Sequence, residues 1–205
     1  MKKLFLIISF YIIYQNSFAQ EVYFYTGKNF TTYYFKNSSG ASNPNLKNGS
    51  GNFYELGYTK PLSNEKINLN IGLALNEYNS AGGNLTNSYY WDTNYLSIQS
   101  RISYSILNNR NNFDILPVFG FNLGTIIRGK QTINGTYFDL TKEKEFSGLL
   151  VTPSLGLQVK YNLAAAGYIS LGYNYCKGIN LSNSTDQKLG FSSHQLEFGI
   201  HYAIN

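Results

Sequence analysis

Few side chains in this chain can do covalent chemistry. The histidines are His194 and His201, and the one cysteine is Cys176. Ser192 precedes His194 by two residues, a spacing that puts hydroxyl and imidazole on one face of an extended strand. Such a pair can attack an ester when an acid orients the imidazole, but no Asp or Glu holds a matching position in that segment. A histidine at an interface is the reading adopted. A lone cysteine forms neither an intramolecular disulfide nor a thiolate metal site. The chain carries no phosphate loop, no dinucleotide fingerprint and no metal-ligand spacing, so no metal, cofactor or catalysis is expected.

The charged residues suggest a different use. Glu55, Arg101, Lys160 and Glu197 each fall among Asn, Ser, Gly, Thr and Gln, on the polar side of an alternating segment. An unpaired charge in a dry interior is strongly disfavoured. Two acids and two bases on one inward surface are therefore expected to pair, joined by Gln158 and His201, in a network that plugs the interior. A proton relay or a narrow polar pore is the functional alternative for the same residues.

Strands must position these groups. Ile67, Leu69, Ile71, Leu73 and Leu75 alternate with Asn68, Asn70, Gly72, Ala74 and Asn76, and period two puts every large apolar side chain on one face. The same design returns around residues 96–106, 151–161 and 195–204, and more weakly around 54–59, 113–128 and 169–176. Residues 22–35 are rich in β-forming residues with a muddled alternation. Eight strands are counted, with Pro117 expected to mark a bulge. Short turns are expected at 63–66, 108–112 and 162–166. Longer loops rich in Asn, Gly, Ser and Thr are expected at 37–51, 79–90, 130–145 and 179–190. Short and long connections alternate, so one end of the sheet is trimmed and the other elaborated.

Lys2 and Lys3 precede an apolar run from Leu4 to Ile13, then Ser17-Phe18-Ala19. A basic start, a short apolar core and a small-x-small site read as a secretory signal peptide over residues 1–19, cleaved before Gln20, with one domain over 20–205. The net charge of +5 falls to +3 without the two leader lysines. The remaining bases are scattered, which argues against nucleic-acid binding. Charged residues make up only 13% of the chain while aromatics reach 17%, against about a quarter charged in ordinary soluble domains.

A soluble barrel would place its apolar set inward and carry charge outside; here the opposite face is mostly Asn, Ser, Gly, Gln and Thr. The stripe from Ile67 to Leu75 spans about 20 Å once tilted, close to the apolar band of an outer-membrane barrel. Tyr104, Phe113, Tyr161, Tyr168 and Tyr202 fall at the short-turn end, and Tyr78, Tyr89, Tyr90, Trp91, Phe146 and Phe191 at the long-loop end, as two interfacial belts would require. Tyr89, Tyr90 and Trp91 also form a possible contact patch on a loop. The fold expected is an all-β, eight-stranded antiparallel up-and-down transmembrane β-barrel.

On the leader, the eight dyad strands, the alternating connections and the last strand Phe198-Gly199-Ile200-His201-Tyr202-Ala203-Ile204-Asn205, the chain resembles the OmpA/OmpX-like small outer-membrane barrels of Gram-negative bacteria. The resemblance covers residues 21–205. It implies both termini in the periplasm and long loops outside, with outer-membrane lipid as the surrounding partner. The loops could then meet an extracellular or envelope macromolecule, in a monomer serving surface contact or envelope integrity. Two alternatives stand beside it. One is a secreted soluble barrel binding a small hydrophobic ligand. The other is a lipid A-modifying barrel enzyme, although Phe191-Ser192-Ser193-His194 lacks the His-x-Ser order of the deacylases.

Overall fold

The structure is a computed structural model that describes residues 20–36, 46–62, 66–83, 88–107, 112–163, 167–181 and 188–204. The expected leader, residues 1–19, lies outside the described residues. The strands are β1 (Gln20–Lys36), β2 (Leu46–Pro61), β3 (Ile67–Glu77), β4 (Ser80–Gly83), β5 (Ser88–Tyr104), β6 (Phe113–Ile133), β7 (Thr136–Asp139), β8 (Leu150–Asn162), β9 (Tyr168–Asn180) and β10 (Lys188–Ile204). Eight of them close a ring of antiparallel ladders in the order β1, β2, β3, β5, β6, β8, β9, β10, with β10 returning to β1. β4 pairs with β2 and β5 beyond the end of β3, and β7 folds back on the tip of β6.

The register fixes the dimensions. From Thr125 the cross-strand partners run Leu96, Leu75, Tyr54, Thr26, Phe198, Leu171 and Val159, and return to β6 at Ile115. The circuit closes with a stagger of ten residues, the distance from Ile115 to Thr125. With eight strands about 4.8 Å apart and about 3.3 Å per residue, that stagger requires a tilt of about 40° and a radius of about 8 Å. A cylinder of that radius has room for side chains and little else.

Its two surfaces are inverted relative to a soluble barrel. Ile71, Leu73, Leu75, Leu96, Ile98, Ile102, Leu155, Leu157, Leu171, Leu196, Phe198 and Ile200 are exposed on the outside. Asn70, Asn76, Ser97, Gln99, Thr152, Gln158, Asn174, Gln195 and Glu197 are buried within. Apolar side chains cover the outside of the closed sheet while polar ones pack its centre, and the ring leaves no open edge along the staves, which is the design of a transmembrane β-barrel. At the short-turn end Tyr104, Phe113, Tyr161 and Tyr202 project outward, with the Phe113 and Tyr161 rings 4.8 Å apart across the ladder.

Four expectations need correction. First, the aromatics at the elaborated end do not form an outer belt. Tyr78, Trp91, Phe146 and Phe191 turn inward and pack with Tyr33, Tyr95, Leu140, Leu150 and Leu189 as a buried cluster in the barrel mouth; of the expected belt, Tyr90 is exposed.

Second, Pro117 marks no bulge. It sits opposite Leu157 of β8, and the β5 ladder ends one residue before it at Ser103 and Val118, where a residue without an N–H can be accommodated. The register shift lies between Asn94 and Tyr95 instead.

Third, the long connections are shorter than expected because the strands run on past the apolar band. Residues 46–51, 80–83, 88–90, 130–133 and 136–139 are all strand. The turn between β6 and β7 is Asn134-Gly135, with φ of 46° and 84°, the left-handed pair that a two-residue type I′ hairpin demands.

Fourth, β1 does alternate. Phe24, Phe30 and Tyr34 face out while Tyr23, Tyr25, Asn29, Thr31 and Tyr33 face in. The pattern looked muddled because aromatic rings occupy both sides.

Candidate functional site

The barrel interior is a stack of bonded layers. At mid-height Arg101 of β5 donates from Nη1 to both carboxylate oxygens of Glu197 on β10, each 3.0 Å away. Its Nη2 pairs with Glu55 Oε2 on β2. The Tyr23 hydroxyl donates to the other Glu55 oxygen at 2.7 Å. The guanidinium carbon lies 4.8 Å from the Tyr25 ring centroid and 5.8 Å from that of Phe53. Arg101 is almost wholly buried, and its planar fork holds two carboxylates in fixed directions, one of them by both oxygens.

Glycines make the layer possible. A Cβ on Gly172 would lie 2.6 Å from Glu197 Oε1, and one on Gly72 would lie 2.8 Å from the Tyr23 hydroxyl and 3.0 Å from Glu55 Oε1.

Towards the short-turn end, Gln158 donates to the Tyr25 hydroxyl at 2.9 Å and to Ser170 Oγ at 3.2 Å. Ser170 meets His201 Nε2 at 3.0 Å. Beneath them Glu21 Oε2 stands 3.3 Å from Lys160 Nζ and 3.3 Å from His201 Nδ1. Asp114 accepts from the Ser105 hydroxyl and from the backbone N–H groups of Leu107 and Ile115. Towards the elaborated end the layers become neutral. Asn122 donates to Gln99 at 2.8 Å, Gln195 to Asn29 at 3.0 Å and Asn29 to Asn76 at 3.3 Å. Above these the Thr31 and Ser193 hydroxyls meet at 3.0 Å.

The aromatic cluster closes the mouth. The Trp91 ring meets Tyr33 and Phe146 edge-on, with centroids 5.2 and 5.3 Å away. Leu140 and Phe146 enter the mouth from the connection between β7 and β8, which begins with a 3-10 turn over Leu140–Lys142 capped by Asp139. Asn180 of β9 holds that connection through bonds to the Glu145 and Ser147 carbonyls, at 2.9 and 3.1 Å.

Of the six interior residues singled out in the sequence, the structure joins Glu55, Arg101 and Glu197 in one group. Lys160 and His201 meet in a second, and Gln158 lies between the two groups through Tyr25 and Ser170. Sequence reasoning missed Glu21, Tyr23, Tyr25 and Asp114. The first three share the odd-numbered, inward face of β1, so the register of that strand was the missing signal. Asp114 shares the parity of Gly120 and Asn122 on β6.

Of the loop triplet, Tyr90 is exposed, Tyr89 is half-buried against the mouth cluster and Trp91 is part of it. Tyr89 and Tyr90 line an open cleft of about 670 Å³ with Lys47, Gly82, Thr132 and Asn134. On the outer face His194 Nδ1 lies 2.6 Å from the Tyr173 hydroxyl. A phenol, not a carboxylate, orients that imidazole.

No protein-family model matches the chain, and no curated protein does. Solved structures similar to it include the outer membrane protein OprG from Pseudomonas aeruginosa, with a TM-score of 0.49 and 14% identity over 90% of this chain and 96% of that one. Neisserial surface protein A is similar with a TM-score of 0.41 and 12% identity over 86% and 96% of the two chains. Ail, the attachment invasion locus protein of Yersinia pestis, is similar with a TM-score of 0.37 and 13% identity over 89% and 100%.

Proposed function

We propose that this chain is a bacterial outer-membrane β-barrel without catalytic activity, closed to solutes, whose elaborated end makes surface contacts and whose barrel serves envelope integrity. The observation that carries the reading is Arg101, bonded across the lumen to Glu197 and Glu55 with Tyr25 and Phe53 against its guanidinium. A ring of about 8 Å radius holding that layer leaves no water-filled path. The apolar exterior supports a surrounding lipid phase. Residues 1–19 would direct export and be removed before Gln20. Both ends of the ring then lie on the periplasmic side, and β4 and the β6–β7 hairpin lie outside. The cleft at Tyr89 and Tyr90 is the natural contact for an extracellular or envelope macromolecule, made by a monomer. The phenol at His194 supports the non-catalytic reading over a lipid A-modifying enzyme.

Planar-bilayer recording of the purified protein tests closure: the expected trace is silent, and sustained conductance steps overturn it. Envelope fractionation with heat-modifiable gel migration tests the barrel. A soluble protein that migrates identically before and after boiling overturns it.

A further inference from the structure

The apolar exterior is not uniform. It reaches Leu96 on β5 and Leu123 on β6, and past the exposed Thr125 it resumes at Ile127, with Leu149 standing just before β8, all four apolar residues exposed. On β9, β10 and β1 it is interrupted by Lys177, His194 and Lys28, each exposed on the outer face.

The register aligns these three. Lys177 stands opposite Ser192, and His194 opposite Tyr175 on one side and Phe30 on the other; Lys28 stands opposite Leu196. Both lysines are therefore diagonal neighbours of His194, about 7–8 Å away between backbones, within reach of long side chains. With a tilt of about 40°, one diagonal step nearly cancels the rise along the strand, so the three lie within about 4 Å of one depth. They form a row parallel to the membrane plane.

That row has apolar neighbours above and below it. Tyr175 and Ile179 flank Lys177 at 45% and 44% exposure, while Lys28 has Phe30 at 42% on one side and Thr26, with Phe24 at 43% beyond it, on the other. An outward-facing cation within the apolar band is disfavoured in proportion to its depth unless something pairs with it. Lys28 donates to Asn52 at 2.6 Å, and Asn52 in turn donates to Glu77 at 2.9 Å, so among the described residues Lys28 bonds a neutral amide directly and the Glu77 carboxylate stands one bond beyond it. The outer-face neighbours of Lys177 are Ser192, Tyr175, Ile179 and the adjoining face of β8, where Val151, Pro153 and Leu155 stand. When Tyr173 donates to His194 Nδ1, Nε2 carries the proton and can donate outward.

We propose that Lys177, His194 and Lys28 form a docking row for the phosphate headgroup of an acyl lipid in the leaflet at the elaborated end. Two cations, a ring N–H and nearby Tyr and Ser hydroxyls are donors suited to a phosphate monoester, and the aromatic and aliphatic side chains beneath would lie along its acyl chains. A second copy of the chain fits poorly. A two-fold interface centred on this row would set Lys177 of each copy against Lys28 of the other, cation facing cation.

The inference rests on the barrel lying in a membrane. Refolded protein is reconstituted in phosphatidylcholine vesicles carrying either spin-labelled phosphatidic acid or spin-labelled phosphatidylcholine, and electron spin resonance reads the immobilised fraction. The unmodified protein should hold phosphatidic acid several-fold more strongly, less so as salt rises. Lys28→Gln and Lys177→Gln should each lower that preference about fivefold at most, with a smaller loss for His194→Gln and none for Lys47→Gln at the distant cleft. Equal immobilisation of both lipids by the unmodified protein, or full preference in the double lysine variant, overturns the row. Displacement of the labelled lipid by inorganic phosphate assigns the site to a free anion and overturns the lipid. Failure to insert, seen as the absence of a heat-modifiable form, overturns the membrane reading itself.

Discussion

Arg101 and Glu197 are bonded to one another from diametrically opposed staves: β5 and β10 are four strands apart whichever way the ring is followed. The pair therefore acts as a strut across the full width of the lumen. Arg101→Ala removes the strut and leaves Glu55 and Glu197 buried without their cation, at an expected cost of about 3–5 kcal/mol. Urea unfolding in detergent micelles should show it as a lower midpoint. Arg101→Met, which keeps the volume, should recover part of the packing and little of the loss, because the same two carboxylates stay unpaired.

A subtler lesion leaves every charge in place. Gly172 faces Glu197 across the β9–β10 ladder, and a methyl there would press on Glu197 Oε1 at 2.6 Å and Cγ at 2.8 Å. Gly172→Ala should destabilise by about 1–3 kcal/mol through overpacking. Combined with Glu197→Gln it should cost less than the two separate losses added together, since both act on one contact. Strict additivity in a double-mutant cycle would contradict the geometry.

Much of this architecture was legible in the sequence, and the exceptions share a physical cause. Residues 67–77 and 195–204 are plain because lipid on one side and a polar interior on the other impose opposite demands on neighbouring residues. β1 escaped because Tyr23 and Tyr25 are lumenal rings whose hydroxyls bond Glu55 and Gln158, so hydropathy does not separate its faces. The mouth cluster was misplaced for a related reason: residue type suits a ring equally to an interfacial belt and to a plug. Parity carried the answer, since Trp91 shares the face of Thr93, Ser97 and Arg101, and Phe191 that of Ser193 and Glu197. The β6–β7 hairpin was also announced by its Asn134-Gly135 dipeptide between β-forming residues.

Trp91 is the one tryptophan of the chain, and it reports on the plug in which it sits. Phe146→Ala removes the ring edge-on to it at 5.3 Å and opens the mouth without touching the strut. Trp91 emission should shift to longer wavelength and become more accessible to acrylamide, while planar-bilayer recordings stay silent because the Arg101 layer remains below. Asn180→Ala, which frees the Glu145 and Ser147 carbonyls, should produce a smaller shift in the same direction.

At the hairpin the constraint is backbone conformation rather than space. No heavy atom lies within 4 Å of a Cβ built on Gly135, yet its φ is +84°. Gly135→Ala should therefore cost about 1 kcal/mol locally through left-handed strain alone. Hydrogen exchange should speed up at residues 130–139 and stay unchanged in β8 and β9, with no shift in the global unfolding midpoint.

The sharpest test of which face meets lipid uses the neighbours Ile71 and Asn70. Ile71 projects outward at 49% exposure, opposite Ser100, whereas Asn70 is buried and paired across the ladder with Arg101. Ile71→Arg near the middle of the apolar band should cost about 2–4 kcal/mol, and the cost should fall when the folded protein is assayed in short-chain micelles that let the guanidinium reach water. Alternation alone suggests that Asn70→Arg would be the milder change. The register argues otherwise, because a second guanidinium would stand directly against Arg101. Asn70→Ser, which shrinks the side chain without adding charge, is the tolerated substitution on that face, and its midpoint in urea should stay within about 1 kcal/mol of the parent. A large loss for Asn70→Ser together with indifference to Ile71→Arg would invert the assignment of inside and outside.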